Sequence, residues 1–274
     1  MLIGWYPGHT NNARKEIIHA LKNVHAILEV VDDRLPYSSE NPLLRELTGD
    51  KPVLKLLNKA DLADPNLTKQ WLDHFAKHNI SAMAVTSISQ TSLSKGITGH
   101  FRTLKNSVKP PFKVMVVGIP NAGKSTLINN LTSRKIAKTG NEPAITKGQQ
   151  EIRLDDDFLL VDTPGILWPK IENHEAGMRL AITGAIKDSI VGTSLLSDYL
   201  LTVLKQKEPE QLQQLYKLAP EDIDLLPGDL LEKIAEKRGC LKGGGAIDHP
   251  RAESMLLREF RAGKLGRLSF DLPE

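Results

Sequence analysis

The chain has 274 residues, 40% of them hydrophobic and 25% charged, which is enough to bury a core for one α/β domain of about 180 residues plus a smaller module. The formal net charge is +3, and the single cysteine, Cys240, excludes an intramolecular disulfide framework and suits a reducing cytosol. The sequence carries neither an apolar stretch of about 18 residues nor a signal-peptide pattern, which argues against membrane insertion and secretion.

Ala13, Ile17, Ile18 and Leu21 recur at helical spacing and predict a first helix, after which the apolar run 26–31 predicts a buried strand. A second strand is predicted over 53–57, and it runs into Asn58-Lys59-Ala60-Asp61. A carboxylate at Asp61 can accept from both N1–H and the 2-amino group of guanine, a donor pair that adenine lacks. Asn58 would tie neighbouring loops together, and Lys59 would lie against the plane of the base. Taken alone, the four residues read equally well as a turn with a capping Asp before Leu62. The run 82–85 predicts a third strand ending in Thr86-Ser87, which resembles a loop whose backbone contacts the guanine oxygen, although Ile88 stands where Ala is usual.

The apolar, β-branched run 112–117 leads into Gly118-Ile119-Pro120-Asn121-Ala122-Gly123-Lys124-Ser125, and 124–131 reads as the start of a helix. Strand, glycine loop and helix in that order direct backbone N–H groups and the positive helix end at phosphate oxygens. Ala122, Gly123 and Thr126 belong to that cradle; Lys124 would reach the β and γ phosphates, and the Ser125 hydroxyl would ligate Mg²⁺. Downstream, Thr146 lies in Pro143-Ala144-Ile145-Thr146-Lys147-Gly148, and the run 158–161 ends in Asp162-Thr163-Pro164-Gly165. Asp162 at a strand end can hold magnesium, and the Gly165 backbone is placed to contact a γ phosphate. Alternating strands and helices through about residue 190 predict a mostly parallel sheet with helices on both faces and ligands at the carboxyl ends of its strands. That pattern predicts a first domain over 1–190, followed over 191–274 by a linker and a helical domain, with strand signals vanishing from near Lys205.

The tail divides by charge. Seven acids face one base over 208–232, whereas nine bases face four acids over 233–267. A helix over 250–261 would put Ala252, Leu256 and Phe260 on one stripe and Arg251 and Arg258 on another. Together with Arg261, Lys264 and Arg267, these residues make a candidate nucleic-acid edge; a solvated helix face has the same composition. Gly243-Gly244-Gly245 reads as a bend before that helix or as a phosphate nest.

The order Asn58 to Asp61, Thr86-Ser87, Gly118 to Ser125, Thr146, Asp162 to Gly165 resembles that of the circularly permuted GTPases. With Trp5-Tyr6-Pro7-Gly8-His9 at its start, the chain resembles the bacterial ribosome biogenesis GTPase A family, also called YlqF, over essentially its whole length. The resemblance implies a permuted P-loop GTPase that uses GTP and Mg²⁺, acts on the assembling large ribosomal subunit and its rRNA, and carries a C-terminal RNA-contacting helical module. It implies a cytoplasmic protein that is monomeric off the ribosome; an organellar relative and a nucleotide-gated RNA scaffold are its alternatives. In many GTPases a Gln after D-x-x-G orients the attacking water, but Ile166 stands there, and the resemblance assigns the water-directing role to His9, which by itself reads more readily as a surface or capping residue. It also associates Asn121 with a potassium ion against the phosphates. Ala144 departs from the family's usual Gly.

Overall fold

The computed structural model describes residues 3–4, 18–85, 93–105, 110–132, 150–154, 156–163, 165, 170–171 and 173–273. They divide into two compact units, one formed by 1–172 together with 269–274 and the other by 173–268.

The first unit is built on a six-stranded sheet. Its strands are β2 (Ala26–Asp32), β3 (Val53–Asn58), β4 (Ser81–Ala84), β5 (Phe112–Gly118), β6 (Gln150–Arg153) and β7 (Phe158–Asp162), in the order β4-β3-β2-β5-β7-β6. All neighbours are parallel except β6, which runs antiparallel to β7 at the edge. The short β1 (Ile3–Gly4) pairs separately with β8 (Lys170–Ile171). Five predicted strands thus form within a residue or two of their expected limits; β2, β3, β5 and β7 are continuous apolar runs that favour burial on both faces, whereas β4 at the edge is at most half-buried. Helices cover both faces. On one, Ala20, Leu21 and Leu44 pack on Ile27, Met115, Val117 and Val161, while Trp71 and Phe75 of the helix Pro65–Lys77 cover Val31 and Leu57. On the other, Phe101 of the helix Leu93–Lys105 meets Phe112 at 6.1 Å between ring centroids.

Register brings the motifs to one edge. Asn58 is level with Asp32, Gly118 with Val30 and Asp162 with Val116, so β2, β3, β5 and β7 all end along the same rim of the sheet. In a parallel sheet this rim is where ligands bind.

The second unit is helical throughout its regular structure. Helices span His174–Ile182, Asp188–Val191, Thr193–Lys207, Pro209–Tyr216, Pro227–Lys237 and His249–Arg261, so the expected domain limit at 190 falls inside helical sequence. Its core is formed by apolar stripes such as Leu196, Leu200 and Leu204, Leu230 and Ile234, and Ala252, Leu256 and Phe260, all 3% exposed or less. Asn173 and Asp248 cap the first and last of these helices through their side-chain oxygens. Among the described residues, no helix is long and apolar enough to cross a membrane.

Candidate functional site

The phosphate loop is the turn from β5 into the helix Lys124–Thr132. Gly118 cannot carry a side chain, since a Cβ there would lie 2.2 Å from the Val30 carbonyl oxygen; Asn121 and Gly123 take left-handed φ angles of 58° and 97°. Lys124 is 7% exposed, and its ammonium donates to the carbonyls of Gly118 at 3.0 Å and Ile119 at 2.8 Å, folding the side chain back over the loop. Burial lowers its pKa to about 8, and the nearby Asp162 carboxylate opposes that shift. Ser125 is half-buried and Thr126 exposed at the start of the helix.

Asp162 closes the other side. It is completely buried, and among the described residues neither carboxylate oxygen has a hydrogen-bond partner. Burial raises its pKa to about 6 against the pull of the Lys124 ammonium. A buried acid without partners is costly unless something neutralises it, and hard oxygen donors of this kind suit Mg²⁺, so the side chain fits the role expected of it. Thr163 is fixed by its hydroxyl donating to the Val116 carbonyl at 2.7 Å. Gly165 lies so close to the loop that a Cβ would sit 2.8 Å from the Lys124 ammonium and 2.9 Å from the Pro120 backbone.

The loop from Asn58 to Asp61 is bonded directly to the phosphate loop. The buried Asn58 amide donates to the Ala122 carbonyl at 2.7 Å, and the Lys59 ammonium donates to the Asn121 carbonyl at 2.6 Å and to Asp32 at 2.8 Å. Ala60 donates to the carbonyl of Val85, just before Thr86, which links this loop to the end of the β4 segment. The following helix is capped by Asp64, whose carboxylate accepts from Asn66 and Leu67, so the capping role belongs to Asp64 and leaves Asp61 exposed in the loop. The motifs that are 57 residues or more apart in sequence therefore share one site.

Sequence reasoning missed the support beneath that loop. Asp32, 2% exposed, accepts from Arg34 Nε at 2.9 Å and from a second guanidinium nitrogen at 2.8 Å besides Lys59. Burial alone would raise the Asp32 pKa, but the Arg34 guanidinium and Lys59 ammonium hold it well below the usual carboxylate range. The available signal was the Asp32-Asp33-Arg34 cluster directly after a strand-like run. His9, Thr86, Ser87, Thr146 and Ile166 lie outside the described residues.

In the second unit, Arg251 and Arg258 share an exposed face of the last helix with Ser254, and Lys264 and Arg267 are exposed beyond it. Arg261 is turned inward: its guanidinium donates to the carbonyls of Ala181 and Ile182 at 2.9 and 2.8 Å and pairs with Asp188 at 2.6 Å. The three glycines form a tight exposed turn between Leu241 and Ile247, with Lys242 donating to the Ala246 carbonyl.

A phosphate loop, a guanine-type loop that precedes it in the chain, and an acid-bearing D-x-x-G turn on one sheet rim define a circularly permuted P-loop GTPase. The family model described as 50S ribosome-binding GTPase matches residues 113–226. Ribosome biogenesis GTPase A of Bacillus pumilus is 42% identical, with all of both chains covered, and mitochondrial ribosome-associated GTPase 1 of Mus musculus is 34% identical over 97% of this chain and 89% of its own. The GNP-bound structure of YlqF from T. maritima superposes with a TM-score of 0.67 at 27% identity, covering 96% of this chain and 99% of that one; a GDP-bound YlqF structure gives 0.70. The chain belongs to the ribosome biogenesis GTPase A family, and its reaction is the hydrolysis of GTP.

Proposed function

We propose that this GTPase is an assembly factor for the large ribosomal subunit, engaging precursor rRNA in its GTP form and leaving after hydrolysis. The observation that carries the catalytic part is the buried, unpartnered Asp162 carboxylate facing Lys124 across a turn that Gly165 closes. Lys124 and the loop amides of Asn121 to Ser125 take the phosphates, Asn58, Lys59 and Asp61 take the base with Thr86 and Ser87, and Gly165 meets the γ phosphate. Ser125, Thr146 and Asp162 would hold Mg²⁺, whose charge offsets that building on the phosphoryl oxygens. Asn121 would hold K⁺ where other GTPases place an arginine.

His9 is assigned to directing water. Support comes from β1: it ends at Gly4, five residues before His9, and pairs with β8, which begins five residues after Gly165. Five residues can span about 18 Å, so the pairing allows His9 and the turn at Gly165 to meet. Arg251, Arg258, Lys264 and Arg267 form the exposed RNA edge, with Arg261 holding helices together behind it. The protein works in the cytoplasm and is monomeric away from the ribosome.

The alternative is an RNA-binding scaffold in which hydrolysis is incidental, a reading that Ile166 in place of Gln favours. GTP turnover measured with and without purified large subunits, in potassium and in sodium, separates the two. Turnover should rise at least about tenfold with subunits, be faster in potassium, and lose its stimulated part in His9→Ala. Equal turnover with and without subunits would leave the scaffold reading.

A further inference from the structure

When the chain leaves the helical unit at Leu268 it returns to the first unit, where Ser269, Phe270 and Asp271 are 2%, 6% and 3% exposed. The Asp271 carboxylate accepts from the Ser38 amide at 2.6 Å and the Ser38 hydroxyl at 2.7 Å, and its carbonyl accepts from the Trp71 indole at 3.3 Å. Phe270 donates its N–H to the Arg34 carbonyl at 2.7 Å, and the Ser269 hydroxyl accepts from the Asp64 amide at 3.0 Å.

These partners frame the guanine loop. Arg34 grips Asp32, which holds Lys59, which reaches the Asn121 carbonyl of the phosphate loop. Asp64 lies three residues beyond Asp61 and starts the helix that fixes the loop's far end. A buried polar group that loses its partner is left unsatisfied at a cost, so each bond in such a network helps to hold its geometry. Removing the returning segment would strip bonds from Arg34, Ser38 and Asp64 together.

We propose that Ser269, Phe270 and Asp271 are positioning residues for guanine recognition, bracing the loop that carries Lys59 and Asp61 from behind. The inference rests on the guanine-nucleotide reading of that loop. It makes base recognition depend on the segment that immediately follows the helical unit.

The test uses the full chain and labelled GDP and IDP, the inosine nucleotide lacking the 2-amino group that Asp61 would read. In Asp271→Ala, GDP should dissociate about ten times faster and the preference for GDP over IDP should narrow at least about threefold, with kcat at saturating GTP within about twofold of the parent. Asp271→Asn, which keeps one acceptor oxygen, should restore part of both losses. A folded Asp271→Ala variant with the parent's release rate, or one that weakens GDP and IDP equally, overturns the proposal. Should that variant not fold, Ser269→Ala decides in its place: faster release with a narrowed preference supports the brace, and parental values overturn it. A parent chain that binds no GDP would instead sink the underlying guanine reading, whereas a binding parent with unaffected variants sinks the brace alone.

Discussion

At position 165 there is no room for even a methyl group. Alanine there would drive its Cβ against the Lys124 ammonium and against the Pro120 backbone, and backbone yields less readily than a flexible side chain. Gly165→Ala should lower kcat by at least about tenfold, about 1.4 kcal/mol on the barrier, while the melting temperature stays within about 2 °C of the parent. Steady-state turnover and thermal unfolding check this, and a variant with parental kcat contradicts the placement of this turn against the phosphates. Residues of this kind were legible from sequence because the chemistry demands them at fixed local spacing: Gly118, Lys124, Asp162 and Gly165 each sit within a motif. Ser38 and Asp271 were not legible, since their roles come from a contact between residues 233 apart along the chain.

Among the elements, five strands of the sheet were readable and the edge strand β6 was not. β2, β3, β5 and β7 announce themselves by apolar runs, whereas β6 is Gln-Glu-Ile-Arg with Ile152 its sole buried residue, a pattern too short and polar to register. Local pattern also gives no warning of buried charge in a strand. Glu29 of β2 and Lys55 of β3 are cross-strand partners at 3.1 Å, with Glu40 on the other side of the Lys55 ammonium at 3.0 Å. The entry of β2 has its own titrating joint. His25 Nδ1 accepts from the Lys113 amide at 2.8 Å while its ring stacks on Phe112, an arrangement that needs the neutral imidazole. Burial first, then the charges of Lys51 and Lys113, lower the His25 pKa below 6.5. The unfolded chain therefore takes up this proton more readily than the folded one, so stability present above pH 6.5 declines as pH falls below it. Because the ring is partly exposed the effect is small. His25→Gln should lessen the fall in melting temperature between pH 7.5 and 5.5 by about 1–2 °C, and an unchanged pH dependence would remove His25 from this role.

For the molecule as a whole, chain order and spatial order differ, and only the second governs the site. The loop ending β3 comes before the phosphate loop in sequence, yet the sheet order β4-β3-β2-β5-β7-β6 sets their strands on either side of β2, and Asn58 and Lys59 bond across to Ala122 and Asn121. The helical unit lies between the D-x-x-G segment and the closing residues 269–274, so both of its ends join the GTPase unit. Its helices could be anticipated from the loss of strand signal and the apolar stripe Ala252, Leu256 and Phe260. The return of the last residues to the sheet unit could not, since Ser-Phe-Asp near a terminus has no periodicity to read.

That one guanine nucleotide spans the two loops is tested most directly by changing the base reader and following the phosphate chemistry. Asparagine in place of Asp61 would still accept from N1–H but would offer an amide donor, which meets the 2-oxo group of xanthine and leaves the 2-amino group of guanine without an acceptor. Hydrolysis of GTP and xanthosine triphosphate by the parent and by Asp61→Asn should show the preference reversing, at least about tenfold in kcat/KM each way, with Lys124 and Asp162 untouched. An Asp61→Asn variant that still hydrolyses GTP in preference to xanthosine triphosphate would contradict the account.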